Sequence, residues 1–419
     1  MTQTSTYGLF RHTPFLFFFL GSGCSELAYQ IAFVALGWQV YELTNSAMDL
    51  GLIGLIQFLP SVLFVFVIGH VADKYNRKKL LQICQILEAL TAVFLCIGTA
   101  YGWLTVNQIF ISVGVLGVCA AFEGPSGQAL MPSVIPKGMI AQGTTIGSSI
   151  YQMGAVAGPA LGGVAYALSK NAPFLLMSVL WASAAVLNGL IRVDPHHSHR
   201  SQLSQKTIDQ ATESNSQHDK DSVYAGARFV KENPLLLGTL SLDLFAVLLG
   251  GATTLLPIYA KDILDTGAWG LGLLRSAPAV GALIMTAYLS RFALKSRVGM
   301  KMFNSVIVFG IATVLFALST EMWLSLTALA VMGAADMVSV VIRSSLVQLA
   351  TPEKMRGRVS AVNFLFINAS NQLGGFESGL TAAVFGVVNA AAIGGIGTVI
   401  IALIWMRLFP SIKEIDKLE

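Results

Sequence analysis

The sequence predicts an all-α membrane protein with twelve transmembrane helices in two parallel six-helix bundles. Hydrophobic residues make up 54% of the 419 residues and charged residues only 11%, with a mean hydropathy of +0.69. Soluble globular chains carry about 25% charged residues. This chain therefore lacks the polar surface of a soluble protein, and its long apolar runs recur at the length of about 20 residues that a helix needs to cross a bilayer.

The apolar runs form two sets of six around a polar stretch. The first run begins at Pro14 with Arg11 as its only preceding base. It is too long for the core of a signal peptide, so we interpret it as a retained helix. The predicted segments are 14–43, 49–70, 80–101, 104–131, 139–168 and 172–193, then 234–262, 268–291, 301–319, 322–350, 358–386 and 389–409.

We therefore predict an N-terminal bundle over 1–193, a cytoplasmic linker over 194–233 and a C-terminal bundle over 234–419. The linker is rich in Ser, Gln, His and Asp, which is typical of a flexible segment. Its histidines, His196, His197 and His199, could bind a metal or simply be solvated, and the sequence leaves both open. The stretch Val223–Lys231 could form a short interfacial helix with bases on one side.

The positions of the bases predict the orientation. Across the gaps between segments, nearly all Lys and Arg fall on one face, and the other face receives only Lys170 and Lys261. Cytoplasmic loops carry such an excess of bases. We therefore expect an inner-membrane protein with both termini and the linker in the cytoplasm. The bases form no continuous basic face, so nucleic-acid binding is not indicated.

The two halves resemble each other at an offset of about 218 residues. Gly54 and Pro60 correspond to Gly272 and Pro278, and Tyr151-Gln-Met-Gly154 aligns with Asn371-Gln-Leu-Gly374 at a similar offset. Because each half has an even number of segments, both halves enter the membrane from the same side. The halves are thus predicted to be parallel repeats.

The stretch G-H-V-A-D-K-Y-N-R-K-K lies between segments two and three. With the parallel six-segment halves, it resembles the loop signature of the major facilitator superfamily, with Gly69, Asp73, Arg77 and Lys78 at its positions. The usual glycine is Asn76 here, and Asn tolerates unusual turn geometry. The resemblance implies a secondary transporter working by alternating access. The loop would be a cytoplasmic latch in which Asp73 accepts from Arg77 or from a helix N-terminus of the other half.

The run G-A-V-A-G-P-A-L-G-G in segment five resembles the antiporter signature of the exporters in this superfamily. Gly154, Gly158 and Gly162 repeat every four residues, and Gly163 follows. Small residues at this spacing let membrane helices approach closely. Pro159 removes a backbone donor and favours a bend. We interpret this helix as an interface that pivots, with a well-packed helix pair as the alternative.

A third resemblance is to the drug:proton antiporter branch that includes enterobactin exporters and macrolide efflux pumps. It rests on T-P-E-K-M-R-G-R-V-S-A-V-N, residues 351–363, and on S-N-Q-L-G-G-F-E, residues 370–377. Exporters of the superfamily often carry an arginine in segment four, but residues 109–121 contain no base. A proton relay through that arginine is therefore not expected.

Ionisable residues inside apolar segments are costly and mark functional sites. Glu26 in segment one and Asp243 in segment seven fall at nearly equivalent positions of the repeats. Either could carry a proton, pair with a cationic substrate, or belong to a structural polar pair. Glu123 precedes Gly124-Pro125 and could face the same cavity.

The other embedded charges are Asp336 and Arg343 in segment ten, Glu377 in segment eleven and Arg275 in segment eight. Asp336 and Arg343 share a face. Arg343 could pair with Asp336, with Glu377 or with the loop, and Arg275 could neutralise Asp243 or meet an anionic substrate. The segment-three stripe of Gln82, Gln85 and Glu88 is interpreted as structural.

No P-loop, GxSxG or HExxH motif is present, so neither an enzyme nor direct ATP driving is indicated. The four cysteines lie inside apolar runs and are expected to be packing residues. We predict a monomeric transporter that needs no cofactor and uses the proton gradient to export an amphipathic small molecule, a drug or a siderophore. Uptake or lipid flipping on the same fold, and a non-transporting receptor or assembly factor, remain the alternatives.

Overall fold

The computed structural model describes residues 7–64, 75–136, 139–191, 218–292 and 296–417. All regular elements in this part of the chain are helical. Twelve long helices, one at each predicted segment, are α1 Thr13–Thr44, α2 Ala47–Leu63, α3 Arg77–Tyr101, α4 Val106–Val134, α5 Ile140–Leu168, α6 Ala172–Leu190, α7 Pro234–Leu249, α8 Gly267–Arg291, α9 Val298–Leu318, α10 Met322–Ala350, α11 Arg356–Phe385 and α12 Val387–Leu408. Short helical turns lie at Tyr7–Phe10, Gly251–Leu255, Leu256–Ile258, Tyr259–Ile263, Glu353–Met355 and Pro410–Lys413.

Eight of these helices, and the stretch Pro234–Ile263 that begins with α7, are long and apolar enough within the described ranges to cross a membrane by length and composition. The other three are α2, α5 and α11. Helix α2 has 17 described residues, whereas α5 and α11 are long but contain many Gly, Ser, Thr, Asn and Gln residues that lower their hydropathy. The all-α membrane fold is thus confirmed, and the count of twelve spans stays a prediction.

The seventh span, Pro234–Ile263, is not one uniform α-helix. Helix α7 ends at Leu249, a 3₁₀ turn follows at Gly251–Leu255, and a π-helical turn covers Tyr259–Ile263. The Gly250-Gly251 pair weakens the helix, and Pro257 lacks the backbone donor that a regular ladder requires. The single helix that the hydropathy predicts is therefore interrupted here.

The stretch that the sequence predicts as interfacial lies in a helix from His218 to Glu232, which we call the linker helix. Its Phe229 and Val230 pack with Leu236 of α7 and Val359 of α11. Protein therefore covers apolar residues that the prediction placed at the membrane surface. Arg228 and Glu232 form an exposed ion pair on the same helix.

The helices group into two compact units. The first unit holds α1, the part of α2 from Ile56, α3 to α6 and the start of α8 up to Gly272. The second holds the start of α2, the linker helix, the rest of α8, α7 and α9 to α12. The predicted boundaries at 193/194 and 233/234 stay predictions.

Each unit has its own packing pattern. In the first, α3 packs against α4 and α6, and α5 packs against α6. In the second, α9 packs against α10 and α12, while α7 packs against α10, α11 and α12. These arrangements bring α3, α4 and α6 together in the first unit, and α7, α9 and α10 in the second.

Candidate functional site

Glu26 lies on α1 of the first unit and is partly buried. Its Oε1 accepts a hydrogen bond of 2.8 Å from Nε2 of Gln30, one turn further along the same helix. A Cβ atom added at Gly154 of α5 would lie 2.5 Å from Cγ of Glu26. The side-chain stem of Glu26 therefore rests on the glycine stripe, and no basic residue in the described ranges forms a salt bridge with its carboxylate.

The glycine stripe of α5 faces α1 along its length. A Cβ atom at Gly158 would lie 2.4 Å from Cβ of Gln30, and one at Gly162 would lie 3.2 Å from Cα of Ile31. Real Cβ atoms do not come within 2.4 Å of a neighbouring atom. Helices α1 and α5 can therefore pack this closely only with glycine at residue 158.

Gly163 and Pro159 contact a different helix of the first unit, the start of α8. A Cβ atom at Gly163 would lie 2.6 Å from the carbonyl oxygen of Ala268 and 2.8 Å from Cα of Gly272. The carbonyl oxygen of Pro159 would lie 2.6 Å from a Cβ atom at Gly272. The antiporter-like sequence thus makes close contacts on two sides of α5.

Glu123 on α4 is held by polar side chains from two other helices. Its Oε1 accepts hydrogen bonds of 2.8 Å from Oγ of Ser25 on α1 and of 2.8 Å from Nε2 of Gln85 on α3. The side-chain oxygen of Gln85 in turn accepts from Nδ2 of Asn188 on α6 at 3.0 Å. A polar network inside the first unit therefore ties together α1, α3, α4 and α6.

Glu88 on α3 belongs to this network and was missed as a site residue. It is 1% exposed, and its carboxyl group interacts directly with that of Glu123. The sequence carried a usable signal, because Gln82, Gln85 and Glu88 recur at i, i+3 and i+6 on one helix face. The sequence analysis interprets that stripe as structural, whereas the structure gives Glu88 a partner on α4.

In the second unit, Asp243 on α7 forms a salt bridge with Arg343 on α10. Both side chains are buried, at 8% and 4% exposed. Arg343 therefore does not have Asp336, Glu377 or a loop as its salt-bridge partner, so the pairings predicted for it are wrong. The predicted roles of Arg275 stay predictions. Helix rotation decides which face of α10 meets α7, and hydropathy alone does not specify that rotation.

Asp336 lies instead at a small pocket between α7, α9 and α10, which it shares with Asp243. The pocket is lined by Asp243, Ala246, Val247, Ser305, Val306, Phe309, Ala335, Asp336 and Ser339. One carboxylate of the pocket is thus neutralised by Arg343, while Asp336 forms no salt bridge with a base in the described ranges. The lining of this pocket combines polar side chains with apolar ones.

The structure does not bring the remaining predicted site residues into this pocket. Glu377 on α11 accepts a hydrogen bond of 2.7 Å from Oγ1 of Thr381, on its own helix. Arg275 lies on α8. Neither residue lines the pocket that Asp243 and Asp336 share.

The predicted latch is only partly within the described residues. Gly69 and Asp73 lie outside them, so the latch itself stays a prediction. Arg77 donates from Nη1 to the carbonyl oxygen of Ala129 at 3.2 Å, and Lys78 donates from Nζ to that of Ile191 at 2.6 Å. Both bases therefore bind carbonyl groups near the C-terminal ends of α4 and α6, where the helix dipole favours positive charge.

Asn76 has a different role from the one the sequence suggested. Its φ is −65°, so it does not adopt the left-handed conformation that glycine favours. Instead, its side chain caps α3 by accepting from the backbone N–H groups of Lys78 and Lys79 at 3.1 and 3.3 Å. An N-cap needs a short acceptor side chain, which explains why Asn suits this position.

The histidines His196, His197 and His199 lie outside the described residues. Within the described ranges, no group of three or more His, Cys, Asp or Glu residues could hold a metal ion. The four cysteines form no disulfide, and Cys84 and Cys119 are buried.

Comparison with known proteins places these features in context. The family model MFS_3, described as transmembrane secretion effector, matches residues 4–418. The chain is 24% identical to the enterobactin exporter EntS of Citrobacter koseri over 96% of this chain and 93% of that protein. It is 26% identical to the multidrug efflux pump Tap of Mycolicibacterium fortuitum, over 82% of this chain and 83% of Tap.

A Na⁺, Li⁺, K⁺/H⁺ antiporter of Planococcus maritimus is 22% identical over 70% of this chain and 72% of its own length. Among solved structures, the nucleoside transporter NupG matches with a TM-score of 0.70 at 16% identity, over 94% of this chain and 99% of NupG. A bacterial homologue of the human lysosomal transporter Spinster matches with a TM-score of 0.69 at 13% identity, over 96% of each chain. At these identities the solved structures show a shared fold.

Proposed function

Because the chain belongs to the transmembrane secretion effector family of the major facilitator superfamily, we propose that it couples the proton gradient to export of an amphipathic small molecule. Members of this superfamily are membrane transporters, and the relatives compared above carry the names of a siderophore exporter, a drug efflux pump and a cation/proton antiporter. We place the protein in the inner membrane with cytoplasmic termini, working by alternating access.

The observation that carries the proposal is the position of Glu26. It lies on a predicted membrane-crossing helix with its stem on the glycine stripe of α5 and without a basic partner in the described ranges. A partly buried carboxylate inside a membrane span, with no fixed counter-charge, favours neutralisation by a mobile one. A proton and a cationic substrate could each fill that role, and competition between them is what antiport requires.

The proposed roles of the acids in the second unit differ from those that the sequence suggested. Asp243 has a fixed counter-charge in Arg343, so we no longer assign it as the proton carrier. Asp336, which lines the same pocket without a salt bridge in the described ranges, takes that role in the proposal.

Ethidium efflux from loaded cells tests the proposal, with Glu26→Gln as the principal variant. We expect efflux to fall in this variant and to stop in the wild type when a protonophore collapses the gradient. Glu42→Gln is the matched control, since Glu42 lies on the same helix but has a fixed counter-charge in Lys170, at 2.5 Å.

Everted vesicles separate export from uptake. Export predicts that an acid-inside gradient drives ethidium into everted vesicles of wild-type protein. Accumulation driven only in right-side-out vesicles, or efflux that is equal in Glu26→Gln and wild type, contradicts the proposal.

A further inference from the structure

We infer that Glu88 and Glu123 form a site for one exchangeable proton inside the first unit, with the proton carried by Glu88. The inference rests on the proposed function only for the role of this proton in transport. The site lies in the network that joins α1, α3, α4 and α6, and it is separate from Glu26.

The pairing of the two carboxyl groups requires a proton. An ionised carboxylate is an acceptor only, so two interacting carboxyl groups form a hydrogen bond only when one of them is protonated. Glu88 is 1% exposed, and its interaction with Glu123 is direct. Two negative charges in contact with each other, one of them on the fully buried Glu88, would be strongly unfavourable.

The hydrogen-bond partners indicate which group holds the proton. Glu123 accepts from both Ser25 and Gln85, as expected for the charged member of the pair. Oε2 of Glu88 is fully buried and has no hydrogen-bond partner in the described part of the chain. An ionised oxygen left without a donor in this environment would carry a large desolvation cost, whereas a neutral acid carries much less.

The surroundings add no fixed positive charge. The titratable groups around the pair are Cys84 on α3, Cys119 on α4 and, facing Glu123, Glu26 on α1. Helix α6 contributes the neutral Asn188, whose Oδ1 is also buried without a partner. Among the described residues near the pair, a proton is thus the available counter-charge.

The geometry links this proton to Glu26, the acid at which the proposed function places the proton or the substrate. Ser25 donates to Glu123 and is the neighbour of Glu26 on α1. A movement of α1 that accompanies binding at Glu26 would change the hydrogen bond from Ser25 to Glu123. The stability of the negative charge on Glu123, which faces Glu88, would change with it. Protonation of Glu88 and occupancy at Glu26 are therefore expected to be coupled.

Infrared difference spectroscopy of the purified full-length protein in lipid tests the site without relying on transport. We expect the wild type at neutral pH to show the C=O stretching band of a buried carboxylic acid. The band should disappear reversibly at alkaline pH, shift when ethidium is added, and be missing from Glu88→Gln. Thr91→Val is the control, because Thr91 is a half-buried residue on the same helix whose hydroxyl donates to the backbone carbonyl of Leu87.

Transport gives the second readout. Proton-driven ethidium efflux should fall about tenfold in Glu88→Gln, while ethidium exchange at equal pH should change by less than about twofold, as expected when coupling is removed and binding is kept. Thermal unfolding of Glu88→Gln near the wild-type temperature shows that the fold is intact.

The outcomes separate the two proposals. A band that is unchanged in Glu88→Gln, or one that persists at every pH, overturns the exchangeable proton site whatever the export data show. A band that behaves as expected in a protein that does not export ethidium supports the site and contradicts the proposed function.

Discussion

Asp243 and Arg343 form a buried salt bridge between α7 and α10 of the second unit. Only 8% of Asp243 and 4% of Arg343 is exposed, and Nε of Arg343 has no hydrogen-bond partner in the described ranges. Removing two charges from water is costly, and their attraction offsets that cost only while both are present. The pair therefore joins α7 to α10 and favours one relative rotation of the two helices.

The first prediction concerns this pair. Asp243→Asn and Arg343→Met should each lower the free energy of unfolding by about 3–5 kcal/mol, because each leaves an unpaired buried charge. The double variant should recover most of that loss. Thermal unfolding of the four proteins in detergent provides the double-mutant cycle, and losses that simply add in the double variant would show that the two residues do not depend on each other.

The second prediction concerns the contact between α1 and α5. Gly158→Ala places a Cβ atom 2.4 Å from Cβ of Gln30, so the two helices must separate. We expect a loss of about 1–3 kcal/mol in the free energy of unfolding, as for other overpacked sites, together with reduced ethidium efflux.

Gly127→Ala is the control for this clash. A Cβ atom at Gly127 on α4 meets nothing within 4 Å, so this variant should unfold at or above the wild-type temperature. Equal stability of Gly158→Ala and Gly127→Ala would mean that the close approach of α1 and α5 is not required.

The third prediction concerns the bases that follow the latch sequence. Lys78 binds the carbonyl oxygen of Ile191 at the end of α6, whereas the side chain of Lys79 is exposed. Lys78→Met should reduce the free energy of unfolding by about 0.3–1 kcal/mol through loss of this helix-end contact. Lys79→Met should have a smaller effect, and the opposite order would contradict the assignment.

The sequence predicted where the helices lie but not which of their faces meet. Apolar runs and Pro or Gly residues determine the ends of α1 or α12, because hydrocarbon requires an internally hydrogen-bonded helix. The glycine spacing also predicted the close contacts of α5, since only small residues permit them. Both signals are local, so a single sequence is enough to detect them.

The partners of the embedded charges depend on helix rotation, which hydropathy does not determine. Arg343 was placed with Asp336 because both lie on one face of α10, yet it pairs with Asp243 on α7. Glu88 was overlooked for a related reason, since its partner Glu123 lies 35 residues away on another helix. Each of these pairs joins two different helices, so the pattern along one helix does not identify it.

The last prediction separates the two acids of the second-unit pocket. Asp336→Asn removes a carboxylate that lines the pocket without a salt bridge in the described ranges, so the Asp243–Arg343 pair is preserved. We expect unfolding temperatures near that of the wild type but a loss of proton-driven ethidium efflux. Asp243→Asn should instead lower both the unfolding temperature and the proton-driven ethidium efflux.

Ser339→Ala is the control, because Ser339 lines the same pocket without a charge and should retain most of the efflux. If Asp336→Asn exports ethidium as well as Ser339→Ala does, the proton carrier of the second unit is not Asp336. If Asp336→Asn is instead as unstable as Asp243→Asn, Asp336 contributes to the buried ion pair, and its carboxylate is structural.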